Sequence, residues 1–277
     1  MVDLPERAVM GVVNVTPDSF SDGGRFVDSE AAIAHGRELV AAGADLVDVG
    51  GESTRPGAEP VGLAEELRRV IPVVEGLAAD GAVTVSVDTS KAAVAQAALA
   101  AGARVVNDVT AGRGDGELFD VVAHAGAGLV VMHMQGEPRT MQDAPHYDDV
   151  TAEVTAFLAE RLDVARAAGV RADAVLADPG IGFGKTIEHN LELLARLDSM
   201  TDSLRAPIVV GASRKGFLGV LTDTPRAADR DDATLATTVW SFTSGARMVR
   251  VHDVAATVRI ARLLSVLERA TPSGVAA

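Results

Sequence analysis

Polar side chains that can bind ligands follow short apolar runs at eight places along the chain. Each run is apolar throughout, as expected of a β-strand covered on both faces, and each polar group stands where the run ends. Carboxylates, amides and cations in such an arrangement can bind a polar ring and a phosphate. In chain order these residues are Asn14, Asp48, Glu52, Asp88, Asn107, Asp108, His133, Asp178, Ser213, Arg214, Lys215, Arg250 and His252.

The apolar runs predict eight strands that alternate with helices. They cover residues 9–15, 46–49, 83–87, 105–109, 129–132, 174–177, 208–210 and 248–251. Six glycines precede strands and favour repeated βα units, because glycine suits the left-handed residue that ends a helix: Gly43, Gly81, Gly102, Gly126, Gly169 and Gly245. Eight units in about 250 residues are typical of a single-domain (β/α)8 TIM barrel. A doubly wound open sheet is the alternative that strand counting leaves open.

The carboxyl ends of barrel strands converge on one face, so we expect the polar groups to build one pocket. Capping of the next helix is a simpler explanation for single residues, and Ser90 and Asp253 are predicted to be caps. Asp48 and Asp108 are interpreted similarly, as groups that accept backbone amides. Polar groups at all eight strand ends exceed what capping requires, which favours a functional site.

Composition excludes several kinds of site. The 277 residues include no cysteine, which excludes disulfides, cysteine–zinc sites and thiol catalysis. Lys and Arg number 25 and Asp and Glu 39, and the net charge of −14 has the wrong sign for a general nucleic-acid or membrane binder. With no His-x-x-x-His pair, zinc is not expected, and no run of about 18 apolar residues predicts a membrane span. No secretory signal is apparent, so the expected location is the cytoplasm.

Two loops and the chain end have distinctive compositions. Residues 16–26 and 50–58 are rich in Gly, Pro and small hydroxyl residues and exceed the ~2–6 residues of a minimal βα turn, which favours mobile functional loops. Residues 134–148 also form a long loop, with the composition of ordinary surface. One domain is expected over 1–270, followed by a disordered tail over 271–277.

Two carboxylates at strand ends suggest how a ring could be bound. Asp88 and Asp178 are expected to be partly buried, and such carboxylates need donors. If protein cations supplied all of these donors, the two carboxylates would have a structural role. An amino-pyrimidinone ring could supply them instead, because it presents adjacent N–H groups to a carboxylate. Asn107 could add a two-way amide contact.

Cations are placed on the opposite side of the same pocket. Arg55, Lys215, Arg250 and His252 form a cationic group in an acidic protein, which suggests a phosphate. Asn14 offers one neutral oxygen to a hard divalent cation such as Mg²⁺, which keeps several waters and bridges phosphates.

Two long stretches and six short ones, in order along nearly the whole chain, resemble the signatures of the dihydropteroate synthase family. The long stretches are MGVVNVTPDSFSDGG at 10–24 and DVGGESTRPG at 48–57. The short ones are SVDT at 86–89, ND at 107–108, MHMQG at 132–136, DPGIGFGK at 178–185, GASRK at 211–215 and RVH at 250–252. The resemblance implies a (β/α)8 barrel that joins 7,8-dihydropterin-6-ylmethyl diphosphate to 4-aminobenzoate. The products would be 7,8-dihydropteroate and diphosphate, in folate biosynthesis.

The resemblance also implies residue roles. The pterin would be held by Asp88, Asn107, Asp178 and Lys215, the diphosphate by Arg250 and His252, and Mg²⁺ would touch Asn14. The 4-aminobenzoate site, which sulfonamides mimic in this family, would be framed by Thr54, Arg55, Pro56, Phe183, Ser213 and Lys215. The loop with Asp18, Ser19, Phe20, Asp22 and Arg25 would close to exclude water. Family members are commonly homodimers.

The substrate implies a largely dissociative substitution. Diphosphate leaves once its charge is neutralised, and the methylene cation left behind is conjugated with the pterin ring. The arylamine then attacks, and no side chain is required as general base or covalent nucleophile. Ser213, at the start of a helix predicted over 214–221, could grip the arylamine's carboxylate through its hydroxyl and the helix amides.

Two other functions stay open at this point. A pterin-dependent methyltransferase can share the barrel and the carboxylate set, but it would not need residues 53–56 or 213–215 to hold an aminobenzoate. A non-catalytic binding paralogue would show decay in the mobile loops, and the intact stretch 14–24 disfavours it.

Overall fold

The computed structural model describes residues 4–16, 25–55 and 57–270, with 25–28 described as backbone, and shows eight parallel strands surrounded by helices. The strands are β1 (Ala8–Asn14), β2 (Leu46–Gly50), β3 (Thr84–Asp88), β4 (Val105–Asp108), β5 (Gly128–Met132), β6 (Val175–Asp178), β7 (Val209–Val210) and β8 (Met248–Val251). All eight predicted strands are present, and each begins and ends within one residue of its predicted bounds.

Ten α-helices lie in the described residues. They are α1 (Arg25–Ala41), α2 (Leu63–Ala78), α3 (Ala92–Ala100), α4 (Leu118–Ala125), α5 (Val150–Ala167), α6 (Ile187–Ala195), α7 (Leu197–Leu204), α8 (Gly216–Leu221), α9 (Asp231–Thr243) and α10 (Val254–Ala270). The units after β6 and β7 each contain two helices instead of one. None of the helices in these residues combines the length and apolarity that crossing a membrane requires.

Strand order shows that the sheet closes on itself. The order is β6-β5-β4-β3-β2-β1-β8-β7, with every pair parallel. β6 and β7 are joined by one bridge, Ala177 to Ile208, where Ala177 N donates to Pro207 O at 3.0 Å. The fold is therefore a (β/α)8 TIM barrel, and the open-sheet alternative is wrong. The boundary at 270 stays a prediction, because 271–277 lie outside the described residues.

An apolar layer fills the lower half of the barrel. It contains Met10, Leu46, Val105, Val130, Leu176 and Met248. Below it, at the amino ends of the strands, a cavity of about 260 Å³ is lined mostly by the same apolar side chains. The polar strand ends thus lie at the other end of the barrel, above an apolar floor that excludes water from beneath.

Backbone conformation confirms the glycine pattern. All six predicted glycines have positive φ, from +62° at Gly81 to +111° at Gly102, and Gly126 ends α4 in the left-handed conformation. Gly180 in the β6–α6 loop also has a positive φ, +67°. A Cβ at Gly180 would lie 1.8 Å from the carbonyl oxygen of His133, so this loop packs directly against the end of β5.

Two capping predictions have different outcomes. Asp253 is confirmed, because its Oδ1 accepts from Ala256 N at 3.0 Å at the start of α10. Ser90 is not the cap of α3: Asp115 reaches across and its Oδ2 accepts from Ala92 N at 2.9 Å. A residue distant in sequence thus supplies the acceptor that the local pattern assigned to Ser90.

Two loops also depart from the predictions. The helix predicted over 214–221 begins only at Gly216, because Arg214 adopts a φ of +58° that does not fit a right-handed helix. The loop 134–148 is not ordinary surface, since Met141 and Tyr147 are buried. Tyr147 Oη donates to Gly184 O at 2.8 Å, so this loop supports the β6–α6 loop.

Gly180→Ala is expected to destabilise the protein more than Gly126→Ala. Both positions have nearly the same φ, +67° and +63°, so both variants carry about 1–2 kcal/mol of left-handed strain. Only Gly180→Ala also pushes a methyl group into a backbone carbonyl, which should add at least about 1–3 kcal/mol. Urea unfolding of the two variants measures the difference, and equal losses of unfolding free energy would contradict the close contact.

Candidate active site

A buried carboxylate joins three strands at the mouth of the barrel. Asp48 in β2 has 0% exposure, and its Oδ2 accepts from Arg250 Nε at 2.7 Å and from Asn107 Nδ2 at 2.9 Å. Arg250 Nη2 also donates to Asp88 Oδ2 at 2.9 Å. The interpretation of Asp48 as an acceptor of backbone amides is wrong, because it faces side chains inside the barrel.

This arrangement also changes the expected distribution of charge. Sequence analysis placed Arg250 across the pocket from Asp88, whereas the structure places the two in contact. Burial raises the pKa of Asp88 and Arg250 opposes the rise. The acidic and cationic groups therefore share one side of the mouth.

The second part of the mouth contains Asp178 and Lys215. Asp178 is buried at the end of β6, and its Oδ1 accepts from Gly180 N at 2.7 Å. Burial raises the pKa of Asp178 to about 6, against the opposing effects of that amide and of nearby lysines. Lys215 Nζ lies 3.8 Å from the centre of the Phe183 ring, a cation–π contact.

The two parts of the mouth meet at Gly211, where an added Cβ would lie 3.6 Å from Asp178 Oδ2 and 4.0 Å from Arg250 Cβ. Burial and the charge of Arg250 lower the pKa of Lys215 to about 8, against the opposing effects of Asp178 and Asp88. Arg55, exposed in the loop after β2, also acts on Lys215. Asp88, Asp178 and Lys215 are therefore brought together at one end of the barrel, as the sequence predicted.

His252 differs from its predicted state. Burial and the guanidinium groups of Arg214 and Arg250 lower its pKa to about 4, so the imidazole is neutral near pH 7 instead of one of the cations. His252 Nδ1 and Ser213 Oγ are 2.9 Å apart. The Ser213 hydroxyl thus contacts His252 directly after β8, and this contact fixes its position.

The remaining predicted residues have varied positions. Thr54 is half-buried in the loop after β2. Asp108 accepts from Thr110 N at 2.8 Å, the local backbone role predicted for it. Asp18, Ser19, Phe20, Asp22 and Pro56 lie outside the described residues, as does the side chain of Arg25.

Lys185 is a buried cation that sequence analysis did not single out. It is 3% exposed, and its Nζ lies 2.9 Å from His133 Nδ1 and donates to Phe183 O at 3.0 Å. Burial lowers the pKa of Lys185 to about 7 and that of His133 to about 3. His133, for which the sequence suggested no role, thus helps to fasten the β6–α6 loop to β5. The position of Lys185 at the end of DPGIGFGK was the available signal.

In the residues that the structure describes, no group of three or more His, Cys, Asp or Glu side chains is arranged to hold a metal ion. Asn14 is half-buried at the end of β1, and in the described part of the chain its side-chain amide has no hydrogen-bond partner. A free amide oxygen fits Mg²⁺ that takes most of its ligands from water and a bound phosphate.

Lys185→Met should change how stability depends on pH. The folded pKa of about 7 lies below the usual lysine pKa of 10.5, so between these pH values the unfolded chain binds more protons at this group and native stability rises with pH. The unfolding free energy of the native protein minus that of Lys185→Met should therefore increase as pH rises from about 7 towards 10. Urea titrations across this range, with the exposed Arg166→Met as control, measure it. If the difference in unfolding free energy between the native protein and Lys185→Met stays constant with pH, the pKa of Lys185 is not lowered in the folded state.

Comparison with known proteins agrees with this geometry. A family described as pterin binding enzyme matches residues 10–252. Dihydropteroate synthase of Escherichia coli is 45% identical over 263 residues, which cover 95% of this chain and 92% of that protein. Two structures of the Xanthomonas albilineans dihydropteroate synthase are similar. The one with 4-aminobenzoic acid has a TM-score of 0.90 at 49% identity, covering 98% of this chain and 95% of that one. The one with 7,8-dihydropteroate has a TM-score of 0.86 at 45% identity, covering 98% and 96%.

The match extends over the barrel and over every strand end that contributes to the mouth. The chain therefore belongs to the pterin binding enzyme family and, within it, to the dihydropteroate synthases.

Proposed function

We propose that this chain joins 7,8-dihydropterin-6-ylmethyl diphosphate to 4-aminobenzoate and releases 7,8-dihydropteroate and diphosphate. The observation that carries the proposal is the single mouth in which buried Asp178 and half-buried Lys215 lie near the Asp48–Arg250–Asp88 cluster. The relatives with 4-aminobenzoic acid and with 7,8-dihydropteroate support the same substrates.

The pterin is assigned to Asp88, Asn107, Asp178 and Lys215. Asp178 Oδ1 is already engaged by Gly180 N, which leaves Oδ2 for N–H groups of the ring. Gly211, whose Cβ would lie 3.6 Å from this oxygen, keeps bulk away from it. Asn107 is fixed by its bond to Asp48, so its amide oxygen has a defined direction before the ring arrives.

The diphosphate is assigned to Arg250 and His252. Arg250 uses one N–H on Asp48 and one on Asp88, and a guanidinium has five, so three remain for phosphate oxygens. His252 is neutral in the free protein, and the negative charge of a bound diphosphate would raise its pKa and favour the protonated form.

Mg²⁺ is proposed to bind with the diphosphate, touching the protein at Asn14. When bound, the ion neutralises phosphate charge and so improves diphosphate as a leaving group. The chain's own contribution at this point is one neutral oxygen at the end of β1, beside the loop after β2.

The 4-aminobenzoate site is assigned to Thr54, Arg55, Pro56, Phe183, Ser213 and Lys215. Phe183 is buried, with its ring under Lys215 Nζ, so it can present an apolar surface to an arylamine while Lys215 stays close to the pterin. Arg55 is exposed at the edge of the mouth, where its guanidinium can meet a carboxylate.

The residues then favour a dissociative substitution. As diphosphate departs, positive charge spreads into the pterin, and Asp178 and Asp88 stabilise that charge more strongly than the neutral ring. The arylamine nitrogen attacks the methylene carbon and its proton passes to water or to the released diphosphate. The loop with Asp18, Ser19, Phe20, Asp22 and Arg25, which lies outside the described side chains, is proposed to exclude water at this stage.

Assembly and location are further parts of the proposal. Val220 and Leu221 in α8 and Trp240 in α9 are large apolar side chains that are more than half exposed, and a second copy in a homodimer would cover such a surface. A dihydropterin diphosphate carries several negative charges and does not cross a bilayer unaided. The enzyme must therefore work where that substrate is made, and we place it in the cytoplasm.

The direct experiment is an assay of the purified chain with both substrates and Mg²⁺. Formation of 7,8-dihydropteroate and diphosphate in equal amounts is expected. Release of diphosphate without dihydropteroate, or no reaction, would overturn the proposal.

Asp178→Asn should weaken binding of the pterin diphosphate far more than recognition of 4-aminobenzoate. The variant replaces a charged acceptor of paired N–H groups, which should raise the KM for the pterin substrate by roughly tenfold or more. In the native protein that affinity should also fall as pH falls through about 6, because Asp178 then becomes protonated. Steady-state kinetics with the exposed Asp173→Asn as control measure both effects, and equal losses for the two substrates would contradict the assignment.

Chelation of Mg²⁺ should abolish turnover and leave the fold intact. The bonds of Asp48 to Arg250 and Asn107, which hold the mouth together, do not involve the ion, so circular dichroism and the melting temperature should not change. Asn14→Ala should raise the Mg²⁺ concentration that gives half-maximal activity. Full turnover in excess EDTA would show that the assignment of Asn14 is wrong.

A further inference from the structure

A lysine outside the proposed substrate contacts joins two loops of the mouth. Lys91 stands directly before α3, three residues after Asp88. Its Nζ donates to Glu66 Oε2 in α2 at 2.5 Å and also forms an ion pair with Glu52 in the loop after β2. We call these three residues the Glu52–Lys91–Glu66 clamp.

The inner half of the clamp is buried and fully bonded. Glu66 has 0% exposure. Its second oxygen, Oε1, accepts from Thr89 Oγ1 at 2.6 Å, and Thr89 Oγ1 in turn accepts from Lys91 N at 3.2 Å. A charge in such a place is tolerated only with good partners, so Lys91 and Thr89 hold the first turn of α2 against the end of β3.

The outer half of the clamp holds the loop after β2. Glu52 follows Gly51, which packs so closely on α2 that a Cβ there would lie 2.7 Å from Val70 Cγ2. Arg69 Nη1 donates to Gly51 O at 2.8 Å. Further along, Gly57 N donates to Pro138 O at 3.1 Å. Residues 53–55 therefore lie between two anchored positions, Glu52 and Gly57. The ion pair with Lys91 is what anchors the Glu52 side chain.

We propose that Glu52, Lys91 and Glu66 are positioning residues that hold the loop after β2 in the conformation that accepts 4-aminobenzoate. The proposal rests on the proposed function, because Thr54 and Arg55 in this loop are assigned to that substrate. The clamp also ties the loop to the chain segment that follows Asp88, so the arylamine site keeps a fixed distance from the pterin site. None of the three residues is among those assigned to a substrate.

Glu52→Gln tests whether the clamp positions the loop after β2 without disturbing the fold. It removes the outer carboxylate and leaves Lys91 paired with the buried Glu66, so the protein should still fold. Asp80→Asn is the matched control, because it removes an exposed carboxylate that pairs with Arg37 at 2.7 Å far from the mouth. Both variants lose one ion pair, and only one of them loosens the loop.

Kinetics give the first measurement. For Glu52→Gln we expect the KM for 4-aminobenzoate to rise roughly tenfold or more, because small misplacements of a binding group are costly. The KM for the pterin diphosphate should stay within about twofold, and Glu52→Asp should restore part of the loss. A rise in both KM values by the same factor, or in neither, would overturn the proposal.

Amide hydrogen exchange gives a second measurement that needs no substrate. Exchange in the peptide covering 51–58 should be faster in Glu52→Gln than in the native protein, and unchanged in Asp80→Asn. If amide hydrogen exchange in this peptide is the same in Glu52→Gln as in the native protein, the proposal that the clamp holds the loop is wrong. If the native protein made no dihydropteroate, the proposed function would fail, and this measurement would still report whether the clamp holds the loop.

Discussion

The mouth of the barrel depends on one carboxylate that has no access to solvent. Asp48 has to find its donors inside the protein, and they come from Asn107, 59 residues away, and Arg250, 202 residues away. Because Arg250 also reaches Asp88, a single buried charge fixes an amide, a guanidinium and a second carboxylate relative to one another. Strands β2, β3, β4 and β8 are thereby locked together, in the geometry on which the proposed recognition of ring and phosphate depends.

Burial raises the pKa of the Asp178 carboxyl and lowers the pKa of the Lys215 ammonium in the same mouth. The pKa of Asp178 rises to about 6 and that of Lys215 falls to about 8, so near neutral pH both stay charged in a place that disfavours charge. A ligand that brings N–H donors and negative phosphates compensates both groups. The substrate is therefore favoured by relief of this unfavourable burial as well as by direct contacts, and an acidic protein of net charge −14 can still bind an anion.

The sequence predicted the barrel and the convergence of its strand ends, because apolar runs and terminal glycines are local signals. The partners of individual side chains depend on neighbours from other strands, which no local pattern contains. Asp48 was assigned to backbone amides and instead binds side chains, and His252 loses its charge to burial and nearby guanidinium groups. The capping role predicted for Ser90 belongs to Asp115, which lies 23 residues beyond Ala92, the residue whose amide it accepts from. Tyr147 is buried within a loop of polar composition, where an isolated aromatic residue carries no periodicity.

The closure between β6 and β7 has a mechanical consequence. In the described residues this wall is held by one backbone bridge, whereas β1 and β2 pair over five residues. One wall of the barrel is thus held by Asp48 and its bonds to Arg250 and Asn107. In the opposite wall, Asp178 lies on one side of the seam and the segment leading to Lys215 lies on the other. With one backbone bridge across the seam, the relative position of Asp178 and Lys215 depends less on strand pairing than that of the groups on the opposite wall.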